Sequence, residues 1–209
     1  MIKNKALILF LVIFHVVFCS GAYDKGTAAG KGILEISITV NPFNLISYGQ
    51  NYVVFSYGIT SKTDLTSYYT RHINGTKSMY SGVFYQFLNI KYLDLGTACG
   101  IRYIFKDIAH YDLFFPQILY NFKLQKDYTI GGSIVKVNII ENNRDFIYKG
   151  FSLDVTFFTP ITYIKKISSN ITEAYFGFGI FKNSTATLAI NQIYLHYSLD
   201  VKFDIKKIY

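Results

Sequence analysis

Tryptophan is absent from this chain, proline occurs three times, cysteine twice, and only 16% of its 209 residues are charged. Each shortage excludes something. Two cysteines, one of them close to the N-terminus, cannot staple a disulfide scaffold. Low charge with 51% hydrophobic residues excludes a disordered chain, which is polar and poor in aromatics. Ala, Glu and Leu do not dominate, so a coiled coil is excluded. Lys and Arg number 21 against 13 Asp and Glu, yet basic residues never run beyond two in succession. A nucleic-acid binder would gather them into a stripe, so no nucleic-acid partner is expected. What the chain has in excess is 19 Tyr and 19 Phe, residues that fit the pleated surface of strands.

The first 22 residues read as an export signal. Lys3 and Lys5 precede the apolar run Ala6–Phe18, and Ser20 and Ala22 give a small–x–small cleavage site. Thirteen apolar residues fall short of the roughly 20 that a membrane-spanning helix needs. Cleavage removes two lysines and no acid, which leaves residues 23–209 as one basic domain. Cys19 after the run opens a second reading, a lipidated N-terminus, although Phe18 stands where a small residue is wanted.

Beyond the leader no apolar run is long enough to span a membrane as a helix. Period-two alternation recurs instead. Ile193, Leu195, Tyr197, Leu199, Val201, Phe203 and Ile205 alternate with Tyr194, His196, Ser198, Asp200, Lys202, Asp204 and Lys206. Leu93, Leu95, Cys99, Ile101, Tyr103 and Phe105 oppose Asp94, Gly96, Ala98, Gly100 and Arg102. The same pattern marks 33–40 and 146–158, and weaker versions mark 51–59, 64–71, 79–89, 112–124, 127–140 and 172–181. The expectation is about ten antiparallel strands in one all-β, up-and-down barrel, with eight or twelve as alternatives. Pro116 is awkward inside its strand, and 160–171 and 183–191 are ambiguous.

Alternation does not say which face is outside. A soluble barrel turns its apolar face inward and a membrane barrel turns it outward. Strands of about 9–11 residues suit a bilayer. The polar faces hold Gly, Ser, Thr and charges of both signs, as a narrow lumen would, and the apolar faces are rich in Phe and Tyr. These features favour the transmembrane barrel over a secreted soluble carrier. Glu35, Asp94, Arg102, Lys136, Asp154, Asp200 and Lys202 then form a lumen charge network, either a paired plug or a pore lining.

The search for chemistry yields little. His72, His110 and His196 have no ligand partners at metal spacing, so no metal and no cofactor are expected. Ser198 and Asp200 share the polar face of one strand with His196. Side chains on one strand point in parallel, which does not build a triad. No catalytic residue is assigned. An outer-membrane lipase, deacylase or protease is the enzymatic alternative. Gly131-Gly132, Gly177 and Gly179 match no phosphate-binding fingerprint and read as close packing in strands.

The last strand ends in the aromatic Tyr209, with Ile205, Phe203 and Val201 at apolar places, and Lys207 departs from the pattern. The chain thereby resembles small bacterial outer-membrane β-barrel proteins. Its Lys/Asn/Ile/Tyr-rich composition is similar to spirochaetal surface proteins of the OmpA/OmpX-type size class. The segment Tyr57–Leu65 resembles a tight periplasmic hairpin. The resemblance implies an outer-membrane, surface-exposed, monomeric protein that contacts lipid. It also implies that the barrel-assembly machinery reads the terminal strand through Val201, Phe203, Ile205 and Tyr209. With both termini in the periplasm, connections 41–50, 72–78, 106–111, 141–145 and 182–192 face outward. Their residues His72, Lys77, Lys106, His110, Arg144 and Lys182 become candidates for binding host extracellular proteins, as an adhesin or a complement-regulator binder would. A narrow porin is the alternative, and a secreted or periplasmic location accompanies the soluble reading.

Overall fold

The computed structural model describes residues 25–40, 52–71, 77–105, 110–113, 117–140, 147–185 and 192–207. They form β1 (Ile33–Val40), β2 (Tyr52–Gly58), β3 (Thr63–Arg71), β4 (Lys77–Asn89), β5 (Leu93–Phe105), β6 (His110–Leu113), β7 (Gln117–Lys123), β8 (Thr129–Ile140), β9 (Ile147–Pro160), β10 (Ile171–Thr185) and β11 (Gln192–Asp204). Every pairing is antiparallel between neighbours along the chain, and β1 pairs with β11, which closes the ring. β6 and β7 both lie on β5, over different stretches, and act as one strand of the wall. The fold is therefore a closed ten-strand up-and-down barrel.

The interruption between β6 and β7 has a countable form. Ile101 pairs with Leu113 and Ala98 with Gln117, so three steps along β5 face four along its partner. One extra residue is accommodated, as in a bulge. Of the expected strand 112–124, residues 112–113 stand in β6 and 117–123 in β7, and Pro116 falls outside the described residues. The terminal strand is also shorter than its alternation suggests. β11 ends at Asp204, and Ile205–Lys207 form a 3-10 turn, so Ile205 is not part of the strand. Tyr209 lies outside the described residues, while Val201 and Phe203 stand in β11, half-exposed. The ambiguous stretch 160–171 resolves into the end of β9, a short 3-10 turn at Ile164–Lys166 and the start of β10.

The apolar face is outside. Leu65, Met79, Val83, Tyr85 and Phe87 are exposed on β3 and β4, and Ile101, Ile118, Phe122 and Ile134 on β5, β7 and β8. Leu153, Phe157, Phe176, Phe178, Ile180 and Leu195 continue the band on β9, β10 and β11. Their sequence neighbours Asp154, Thr156 and His196 are buried. In water such a band would lose the stabilisation that burial normally provides, about 25 cal/mol per Å² of apolar area. Cys99 belongs to the same outward face and is exposed.

Both termini of the wall and the connections 59–62, 90–92, 124–128 and 161–170 lie at one end, called here the turn end. The hairpin at 59–62 is tight. Ile59 and Thr60 each donate their N–H to the Thr63 carbonyl, and the Thr60 hydroxyl accepts from the N–H groups of Lys62 and Thr63.

Candidate functional site

The inner wall is not an open channel. Tyr52, Tyr68, Tyr80, Phe84, Leu119 and Phe158 are buried in it, with Tyr68 and Tyr80 stacked at 5.4 Å between ring centroids. Small polar and charged residues such as Ser37, Thr39, Ser133 and Thr156 are buried beside this aromatic packing.

The segment Lys25–Gly32, a feature that strand periodicity did not reveal, lies inside the turn end of the lumen, beside an open cavity of about 230 Å³ lined by Lys25, Asp94, Lys123, Asp127 and Tyr175 among others. Gly30 and Gly32 adopt φ of +98° and +78°, the left-handed region in which a side chain is strained. Ile33 donates its N–H to the Gly30 carbonyl at 3.0 Å, and Gly32 donates to the Gly58 carbonyl at 2.8 Å. This turn sends residues 29 to 25 back into the barrel. The Ala29 N–H then donates to Asp64 at 2.8 Å and the Ala28 N–H to Gln86 Oε1 at 3.1 Å. The Thr27 hydroxyl donates to Asp94 at 2.7 Å and accepts from Asn121 Nδ2 at 2.7 Å. The Gly26 N–H donates to the Tyr120 carbonyl at 3.1 Å, and a Cβ on Gly26 would lie 2.6 Å from the Leu119 carbonyl oxygen. Read backwards along the segment, the contacts step from β3 to β4, β5 and β7. The segment therefore runs round the inner wall just inside the turns.

Lys25 ends this path. Its Nζ lies 2.8 Å from Glu35 Oε1 and 3.0 Å from Asp200 Oδ2, with the Phe158 and Tyr175 rings at 5.2 and 4.8 Å. Ser37 donates to the second Asp200 oxygen at 2.6 Å. Burial disfavours the ammonium charge, but Asp200 and Glu35 outweigh burial, and the Lys25 pKa is raised. Behind the segment is a cavity of about 30 Å³, lined by Lys25, Glu35, Asp64, Phe84 and Asp200 among others. That is room for about one water.

Five of the seven expected lumen charges are placed inward by the structure. Glu35 and Asp200 share Lys25, Asp94 meets Lys123 at 2.7 Å, Lys202 meets Glu173 at 3.1 Å, and Asp154 lies 3.5 Å from His196. Both Glu35 and Asp200 are tied to the segment rather than to the wall charges alone. The side chains of Arg102 and Lys136 lie outside the described residues. Lys25, Asp64, Lys123 and Glu173 are members that alternation missed. Lys25 is in no strand, and the other three stand near strand ends.

His196 does not act with its same-strand neighbours. Its Nε2 lies 2.7 Å from the Thr156 hydroxyl on β9, two strands away. Gly177 and Gly179 on the intervening β10 leave that space open: a Cβ on Gly179 would collide with Thr156 Oγ1 and His196 Nε2. Thr156 also lies 3.0 Å from Asp154, so its one hydroxyl proton is shared between a carboxylate and the His196 imidazole, and the His196 tautomer sets which of them receives it.

Of the loop candidates, Lys77 is exposed at the start of β4. Lys182 falls within β10 and His110 within β6, not in loops, and their side chains lie outside the described residues. His72, Lys106 and Arg144 lie wholly outside them, and so does the leader. Among the described residues no group of His, Cys, Asp and Glu could hold a metal ion.

No family model and no curated protein matches the sequence. What the structure defines is the class: a closed ten-strand antiparallel barrel, consistent with an outer-membrane type. The narrower likeness to spirochaetal or OmpA/OmpX-type proteins gains no support from these comparisons.

Proposed function

We propose that this chain is an integral outer-membrane surface protein that performs no catalysis and binds host macromolecules through the loops opposite the turn end. The observation that supports the membrane half is the outward band of Phe, Leu, Ile and Tyr round a wall whose inner face carries paired charges. The loop half is supported by arrangement. A rigid wall presents five connections, 41–51, 72–76, 106–109, 141–146 and 186–191, at the end away from both termini. The candidates Lys77, His72, Lys106, Arg144, His110 and Lys182 stand in or beside these connections. The non-catalytic half is supported by the way His196 engages Thr156 across β10 and not the Ser198 of its own strand.

Replacing 186–191 with a Gly/Ser linker tests the loop reading. Capture of host extracellular proteins should fall at least tenfold while heat-dependent gel mobility is kept. Unchanged capture would remove that loop from the binding surface.

A second reading, a narrow gated pore, is favoured by one feature. The segment Lys25–Gly32 lies across part of the turn end and is held by hydrogen bonds to side chains and by ion pairs, not by the strand ladder. In planar bilayers the native protein should give no discrete conductance steps. Deletion of 25–30 should give them. A silent but folded deletion variant would exclude the pore.

A further inference from the structure

We propose that the turn end carries a collar of lysines that binds the headgroups of anionic phospholipids. The inference rests on the membrane reading above and adds the lipid class that this end of the barrel selects.

Five junctions occupy the turn end, and each bears an exposed lysine. Lys62 lies between β2 and β3, Lys91 between β4 and β5, Lys126 between β7 and β8, and Lys166 between β9 and β10. Lys31 and Lys206 flank the junction of β1 with β11. Adjacent strands are about 4.8 Å apart, so successive hairpins set these ammonium groups roughly 10 Å from one another, one per headgroup. The lumen charges do not neutralise them. Glu35 and Asp200 are engaged with Lys25, and Asp94 with Lys123, inside the wall. Among the described residues at this end Asp127 is exposed, the Glu173 carboxylate is exposed but paired with Lys202, and Asp204 accepts the Lys206 N–H.

The collar also sits at an apolar boundary. Ile59, Ile90, Leu124 and Ile167 are exposed on the same turns. Lys91 Nζ lies 5.0 Å from the Tyr92 ring centre and Lys166 Nζ 5.0 Å from that of Tyr163, both rings exposed. A ring at the hydrocarbon boundary with an ammonium beside it is the arrangement that meets a phosphate at the membrane surface. A basic surface next to an anionic leaflet gains attraction for each lysine that reaches it.

The test uses the folded protein in neutral detergent, offered equal amounts of phosphatidylglycerol and phosphatidylcholine, with retained lipid counted by native mass spectrometry. Native protein should keep phosphatidylglycerol at least fivefold over phosphatidylcholine. The combined variant Lys31→Gln, Lys62→Gln, Lys91→Gln, Lys126→Gln, Lys166→Gln and Lys206→Gln should bring that ratio to about one, and Lys→Arg at the same positions should restore it. Equal retention by native protein, or a preference that survives the Gln variant, would overturn the collar. Entry into vesicles of phosphatidylcholine alone separates the two readings. A chain that enters them but shows no lipid preference loses only the collar. A chain that enters vesicles of neither lipid loses the membrane reading and the collar with it.

Discussion

Gly177 and Gly179 show how single residues shape the interior of this wall. Each stands on β10 between β9 and β11, and without side chains they let Thr156 reach His196. Gly179→Val should therefore cost about 1–3 kcal/mol, because the new side chain displaces a buried polar pair with no space to move into. Urea unfolding of the barrel in vesicles measures the loss. Cys99→Val, on the outward face, should change stability by less than about 0.5 kcal/mol in the same assay. The two glycines were legible as close packing, and Phe176 and Phe178 beside them as outward residues, since period two assigns each face. The partner of His196 was not legible, because it depends on register across two strands. The signal was there in part: two alternating glycines on an inner face mark where neighbours must meet.

At the scale of elements, the segment Lys25–Gly32 carries the consequence that matters for transport. Its strongest tie is the single ammonium between Glu35 and Asp200. Lys25→Met leaves two buried carboxylates without their cation, a loss of about 3–5 kcal/mol in the docked state. Hydrogen exchange of the Ala28 and Ala29 N–H groups should then rise well above that of the neighbouring strands. Equal protection in the variant would mean the segment is held by its backbone bonds alone. The pH dependence follows from the raised Lys25 pKa. A group whose folded pKa is raised stabilises fully below its unfolded value and loses that contribution as pH rises through the folded one. Protection of Ala28 and Ala29, corrected for intrinsic exchange, should therefore hold to the ordinary lysine range near pH 10.4 and decline only above it. The segment escaped detection because it has no periodicity and because its contacts use backbone N–H groups, which are the same for every residue. One sequence feature does point to it. The inner wall has more carboxylates than its described strand lysines can match, and a Gly-Thr-Ala-Ala-Gly-Lys-Gly run precedes β1. The strands themselves were read closely where period two holds, although β4 shifts register between Gln86 and Leu88 and β10 between Ile171 and Glu173. Their ends were not, because Ile205 and Lys182 continue the pattern of apolar and polar places whether or not a ladder continues.

For the whole molecule, the decisive property is that the barrel is apolar outside and polar or tightly packed inside. The closure of β1 on β11 and the outward band are two independent observations, and a soluble barrel would share only the first. The chain's lack of tryptophan allows a direct test. Phe178→Trp places the one indole on the outward face, and Phe158→Trp places it inside the wall, where Phe158 is fully buried. Each protein is reconstituted into vesicles containing lipids brominated along the acyl chain, and the fluorescence is compared with that in unbrominated vesicles. The account predicts strong quenching for Phe178→Trp and little for Phe158→Trp. Equal emission from both proteins with and without bromine, or quenching of Phe158→Trp alone, would mean that the outward band does not face lipid.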